Sequence, residues 1–442
     1  MEAGPVVRTN QLDFDEEVMY KSEQYLYDHV RQRTDQPFCL TVSMTHPHDP
    51  YAMTKEFWDM YEDVDIPLPK NGPIPHDEQD PHSQRILKCI DLWGKEMPEE
   101  RIKAARRAYY AACTYVDTNI GKLLRVLKNT GLDENTIIVF TGDHGDMLGE
   151  RGLWYKMAWF ENSARVPMLF YAPKQFEPKR IPQNVSTMDL LPTFADLVGA
   201  PLVPGLPMDG VSLVPYLTGG EGLRTDTVYG EYMGEGTQAP LIMIRQGRWK
   251  FVYSTIDPPM LFDLVADPEE KTNLVKGLSI PSASGVANAA SAKPGNPLTV
   301  PATLPTPSDT PRASPIPQRA MESTVSYPFP TPPRTPSPAK QPAALPDTKD
   351  PARLLSFFLE EVNARWDLEK IRQDVLRSQR RRRLVYSALI KGTPQLWDWE
   401  PRVDPSTQYV RNQGKGILDD VELISRWPRV LQQAAQANGI ST

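Results

Sequence analysis

Cysteine is scarce in this chain: 442 residues hold only Cys39, Cys89 and Cys113, an odd number without metal-ligand spacing. Thiols in a reducing compartment fit that count better than a disulfide framework, so a cytoplasmic location is expected. A long apolar run is missing, and the opening Met1-Glu2-Ala3-Gly4-Pro5 has neither the basic start nor the apolar stretch of a signal peptide, so no membrane partner is expected. There is no excess of positive charge either. Lys and Arg number 49 against 56 Asp and Glu, a net charge of −7 that argues against general affinity for nucleic acid or anionic lipid.

The most telling segment that is present runs Ile137-Ile138-Val139-Phe140-Thr141-Gly142-Asp143-His144-Gly145-Asp146. Apolar and β-branched residues ending in Gly, Asp, His and Gly predict a buried parallel strand that delivers side chains at its carboxyl end, where open α/β sheets bind ligands. Asp143 and His144 offer a carboxylate oxygen and an imidazole nitrogen, a pair suited to a divalent ion. A Gly-punctuated loop follows and carries Lys156, a cation for an anion bound nearby.

Upstream, Leu40-Thr41-Val42-Ser43-Met44-Thr45 predicts a second strand, ending in His46-Pro47-His48-Asp49-Pro50-Tyr51. Two histidines spaced i and i+2 about a proline can project together from a rigid turn.

Thr-Gly-Asp-His-Gly with a lysine thirteen residues after the Asp, together with Thr-His-Pro-His-Asp-Pro-Tyr, resembles the sulfatases of the alkaline phosphatase superfamily. Within them the tail resembles the choline sulfatases, through Arg365-Trp366-Asp367-Leu368, Ser378-Gln379 with Arg380 to Arg383, and Trp397-Asp398-Trp399-Glu400-Pro401. The resemblance covers roughly residues 1–275 and 349–425. It implies an α/β fold with an alkaline-phosphatase-like mixed sheet flanked by helices, a small antiparallel carboxyl-terminal subdomain and a helical tail. It also implies hydrolysis of choline O-sulfate to choline and sulfate, with a phosphonate or phosphate ester hydrolase as the alternative within the superfamily. Asp143 and His144 fall on metal-ligand positions, the ion being Ca²⁺ in the usual case, with Mn²⁺ also permitted by a His ligand. Lys156 falls on the sulfate-contacting lysine, and His48 on the histidine near the leaving oxygen, with His46 second for that role. In the tail, Trp397 and Trp399, or Asp419 and Asp420, could face the quaternary ammonium group, and the tail implies a homo-oligomer.

Two family features are absent from these residues. The nucleophile that becomes formylglycine stands in Cys-x-Pro-x-Arg or Ser-x-Pro-x-Arg, and none of the three cysteines is followed by that pattern. A paired-aspartate metal motif is also missing, since Asp15-Glu16-Glu17 reads as the start of a helix. The expectation is a chain beginning partway into the domain, with apolar strand edges left open and poor solubility as a result. A non-catalytic interaction subunit is the other reading that this absence allows.

The remaining pattern sets out units at 1–210, 211–276, 277–348 and 349–442. Helices are predicted from Glu16 to Arg33 and from Arg101 to Thr130, the latter stopped by Gly131. Another starts at Ser186, with Asp189 as capping partner and Pro192 as a kink. A loop from Asp63 to Pro81 is expected to lie over the site. Strands are predicted at 167–172, 228–233, 241–245, 250–253 and 261–264. Residues 277–348, dense in Pro, Ser, Thr and Ala, predict an unstructured insertion. Beyond it, Leu354, Phe357, Phe358, Val362 and Trp366 recur at helical spacing.

Overall fold

The computed structural model describes residues 3–32, 36–200, 208–222, 226–279 and 342–389. In chain order the first part runs β1 (Gly4–Val6), α1 (Asn10–Gln32), β2 (Ala52–Thr54), α2 (Lys55–Asp59), α3 (Pro81–Cys89) and α4 (Glu99–Thr130). It continues with β3 (Ile138–Thr141), α5 (Glu161–Ala164), β4 (Met168–Tyr171), α6 (Leu190–Leu197) and α7 (Val214–Leu217). Four strands follow: β5 (Thr227–Tyr232), β6 (Leu241–Gln246), β7 (Trp249–Tyr253) and β8 (Met260–Asp263). Two helices end the described residues, α8 (Pro351–Arg365) and α9 (Leu368–Leu389).

The 32-residue α4 is the spine of the amino-terminal part. Its Ala105, Ala108, Ala111 and Ala112 are buried, and small side chains let α1, α2, β1 and β2 approach closely. Gly131 ends the helix in the left-handed conformation at φ 73°, where a side chain would be strained. Ser186 and Asp189 form the predicted reciprocal cap ahead of α6, and Pro192 sits in the first turn of that helix.

Three expectations change. Residues 40–45 form no ladder among the described residues, because no neighbouring strand there offers its backbone groups. β3 pairs antiparallel with β4, Ile138 opposite Tyr171 and Phe140 opposite Leu169, rather than in parallel. Nor is β3 buried: paired with β4 alone among the described residues, it shares a face that exposes Phe140, Leu169 and Tyr171 at 39, 55 and 58 %. An apolar run signals burial only when other elements cover both faces of the strand. Trp397, Trp399, Asp419 and Asp420 lie outside the described residues.

The carboxyl-terminal sheet has the order β5-β6-β7-β8, antiparallel throughout. Helix α8 lies on it, burying Leu354, Leu355, Phe358 and Val362 against Ile242, Ile244, Phe251 and Leu261. The Phe358 ring stacks on Phe251 at 5.3 Å. The apolar stripe beyond the Pro-rich segment therefore closes the core of a sheet that precedes it. Phe358→Ala is expected to destabilise the protein by about 3–5 kcal/mol, as deletion of a fully packed aromatic does. Urea unfolding followed by Trp fluorescence checks this, and a loss under about 1 kcal/mol would show that α8 is peripheral.

Candidate active site

Two loops meet at the carboxyl end of β3 and the amino-terminal side of β2. Asp15, fully buried on α1, anchors the first: its carboxylate accepts from the backbone N–H of Thr45 (2.6 Å) and of His46 (3.0 Å), and contacts the His46 ring at 2.7 Å. His46 is thereby drawn inward, edge-on to Tyr115 at 5.1 Å. The structure does not bring it to the other candidates. The buried acid on the inner face of α1 decides this, and no local pattern announces it.

His48 points the other way. Its Nδ1 lies 2.8 Å from the Asp49 carbonyl oxygen and 3.0 Å from the Asp49 carboxylate, while its Nε2 meets the Lys156 ammonium. The His144 ring is 5.6 Å away. His48, His144 and Lys156 thus converge from loops 108 residues apart. His144 has its Nδ1 2.9 Å from the Gly145 carbonyl oxygen, and its backbone N–H caps Asp143 Oδ1 at 2.9 Å. The Asp143 carboxylate is 88 % exposed, with Oδ2 3.6 Å from His144 Nε2. At Gly145 a Cβ would stand 2.1 Å from the Asn162 carbonyl oxygen, so only glycine lets α5 pack this close.

The loop carrying Lys156 is strained and heavily tied. Leu148, Arg151, Tyr155 and Met157 all have positive φ, the last two at 66° and 72° on either side of Lys156, and such residues cost about 1–3 kcal/mol each. Buried Glu150 accepts from the backbone N–H of Lys70 (3.0 Å) and Asn71 (2.8 Å), which fastens the 63–81 segment to this loop. Asp146 accepts from the Leu148 N–H at 2.9 Å and from the Tyr51 hydroxyl at 2.9 and 3.0 Å, joining the two site loops. Burial pushes the Asp146 carboxyl and the Tyr51 phenol above their ordinary ranges. Both residues lie within the sequence motifs, but their pairing across 95 positions leaves no local signature.

As metal ligands, Asp143 and His144 give two donors. No group of three or more His, Cys, Asp or Glu suited to an ion occurs among the described residues, which is short of a shell for a divalent cation. The described donor set does not fit a complete metal site.

Asp49 raises the His48 pKa, chiefly by its side-chain hydrogen bond, against burial and the nearby Lys156 charge. The folded value lies above the unfolded one. The contribution to stability is thus complete below the unfolded pKa and is lost as pH rises through the folded one. Asp49→Asn is expected to lower the His48 pKa in an imidazole NMR titration; an unchanged value would remove Asp49 as the cause.

With this geometry in view, comparison with known proteins defines the class. The sulfatase family profile matches residues 4–200, that of the N-sulphoglucosamine sulphohydrolase carboxyl terminus residues 149–283, and that of the choline sulfatase enzyme carboxyl terminus residues 373–427. The chain belongs to the sulfatase family, on its choline-sulfatase branch. It is 39 % identical over 431 residues to a choline-sulfatase of Rhizobium meliloti, covering 97 % of this chain and 70 % of that one. It is 32 % identical to arylsulfatase K of Gallus gallus, over 54 % of this chain and 48 % of that one, so it spans about half the length of such relatives. A Bacteroides fragilis structure described as a sulfatase, yidJ, superposes with a TM-score of 0.50 at 25 % identity, covering 59 % of this chain and 54 % of that one. Sulfatases generally use a divalent metal and formylglycine.

Proposed function

We propose that these residues form the sulfate-gripping and leaving-group side of a choline O-sulfate hydrolase. The convergence of His48, His144 and Lys156 carries this reading. With the Nδ1–H of His48 given to Asp49, Nε2 is free to accept from Lys156, which is a neutral imidazole beside a cation. A sulfate ester entering between them changes the balance. Its oxygens accept from Lys156 and favour a proton on His48 Nε2, since an anion now separates the two positive groups. When the ester S–O bond breaks, His48 can give that proton to the departing choline oxygen. Attack on sulfur needs a nucleophile that none of the described site residues supplies, and Cys39, Cys89 and Cys113 lack the Cys-x-Pro-x-Arg context.

The chain's 39 % identity to a choline-sulfatase and the match of its tail to that family's carboxyl terminus support choline as the alcohol. Trp397 and Asp420 are proposed to face its ammonium group, and Asp143 with His144 to give two ligands to Ca²⁺ or Mn²⁺. The exposed Arg380 to Arg383 run of α9 and its exposed Leu384 and Val385 support pairing of copies through the tail. A cytoplasmic location is proposed on the three free cysteines; no described helix is long and apolar enough to cross a membrane.

Calorimetric titration with choline O-sulfate tests the reading. Lys156→Ala is expected to weaken binding about tenfold or more, as loss of a charge-assisted hydrogen bond does. Binding of phosphocholine at equal strength would favour the phosphate-ester alternative, and an unaffected Lys156→Ala variant would sink the site. Binding without sulfate release would mark the chain as non-catalytic by itself.

A further inference from the structure

Lys156 sits between two non-glycine residues in the left-handed region, Tyr155 at φ 66° and Met157 at φ 72°. Such a backbone persists only where its surroundings hold it. On the amino-terminal side the holder is backbone: the Met147 N–H donates to the Tyr155 carbonyl oxygen at 2.7 Å. On the carboxyl-terminal side it is a side chain. The Nε2 of His82 lies 2.6 Å from the Met157 carbonyl oxygen, an acceptor only, so His82 must carry its proton on Nε2 and donate it.

His82 stands on α3, far from both site loops in sequence, and is 3 % exposed. Asp80 caps that helix by accepting from the Ser83 N–H at 2.9 Å, which fixes the turn that aims the ring. Tyr232 covers the imidazole edge-on at 5.9 Å. The ring is therefore packed, oriented and committed through one nitrogen to the residue after Lys156, while its other nitrogen is buried without a partner among the described residues. A histidine kept only to fill the core would be matched by an apolar side chain of similar size.

We propose that His82 is a positioning residue for Lys156, clamping the Met157 carbonyl so that the strained backbone keeps the ammonium group against His48. This rests on the sulfate-gripping reading of the site. Release of the clamp lets Met157 relax toward negative φ, which turns the peptide joining it to Lys156 and withdraws the amine.

His82→Gln and His82→Met are close in volume and differ in the N–H donor, so they separate clamping from filling. On the full chain, His82→Gln is expected to bind choline O-sulfate within about threefold of the parent, and His82→Met about tenfold more weakly. In a Lys156→Ala background the His82→Met loss is expected to vanish. Amide exchange of the backbone over residues 153–160, measured without ligand, is expected to speed up in His82→Met alone. Unchanged exchange there, or a binding loss that persists in full without Lys156, overturns the clamp. Should Lys156→Ala alone leave binding intact, the functional reading falls, while the exchange result still judges the clamp. If the Met variant does not fold, His82→Phe, which keeps a flat ring without the donor, takes its place in the same measurements.

Discussion

Everything this site can do depends on one buried link, the Tyr51 hydroxyl on the Asp146 carboxylate. Tyr51 ends the turn that carries His48, and Asp146 begins the loop that carries Lys156. The two loops lie 95 positions apart in sequence, and this contact joins them directly. The carboxylate also accepts from the Leu148 N–H, so one acidic group fixes the path of its own loop and its separation from the next. Stacking of Tyr51 on Tyr155 at 6.1 Å reinforces the join. A protic and a cationic side chain can then be held in contact before any anion arrives, which is the preorganisation that electrostatic catalysis requires.

The strain around Lys156 has its counterpart in the ionic interior beneath. Lys250 on β7, 1 % exposed, lies 2.6 Å from Glu161 and 2.8 Å from Glu270, and donates to the Trp159 carbonyl oxygen at 2.8 Å. The carboxyl-terminal sheet thereby grips the segment just after Lys156. A buried ammonium is tolerated only when it is partnered, and here its partners connect the sheet to the site loop. The sheet that α8 completes is therefore a support for the site as well as a separate core.

Features that depend on neighbours a few residues apart were legible in the sequence. The α4 pattern with its Gly131 stop, the Ser186–Asp189 cap, the four strands of the terminal sheet and the stripe of α8 all follow from local periodicity and capping chemistry. What depends on distant partners was not. The pairing direction of β3 is set by β4, and residues 40–45 form no ladder among the described residues. The spacing of His46 and His48 about Pro47 does not by itself separate them, and only the family resemblance ranks His48 first. They separate only because Asp15, 31 positions upstream of His46, claims one of them. His48, His144 and Lys156 were readable as candidates because the sequence pattern predicts loops rich in His, Asp and Lys after apolar runs, although the run at 40–45 forms no ladder among the described residues. Of the groups that hold them, Asp49 is the sequence neighbour of His48, whereas Tyr51, Asp146 and His82 act by contacts that no short motif encodes.

On the proposed reading, an anion between Lys156 and His48 converts a neutral imidazole into a proton donor. Imidazole NMR titration of His48 with and without saturating choline O-sulfate would show this conversion. The His48 pKa should rise when the ester is bound, because the anion screens Lys156 and pairs with the imidazolium. A His48 pKa that stays put or falls, with binding confirmed in the same sample, would rule out proton donation by His48 to the departing choline.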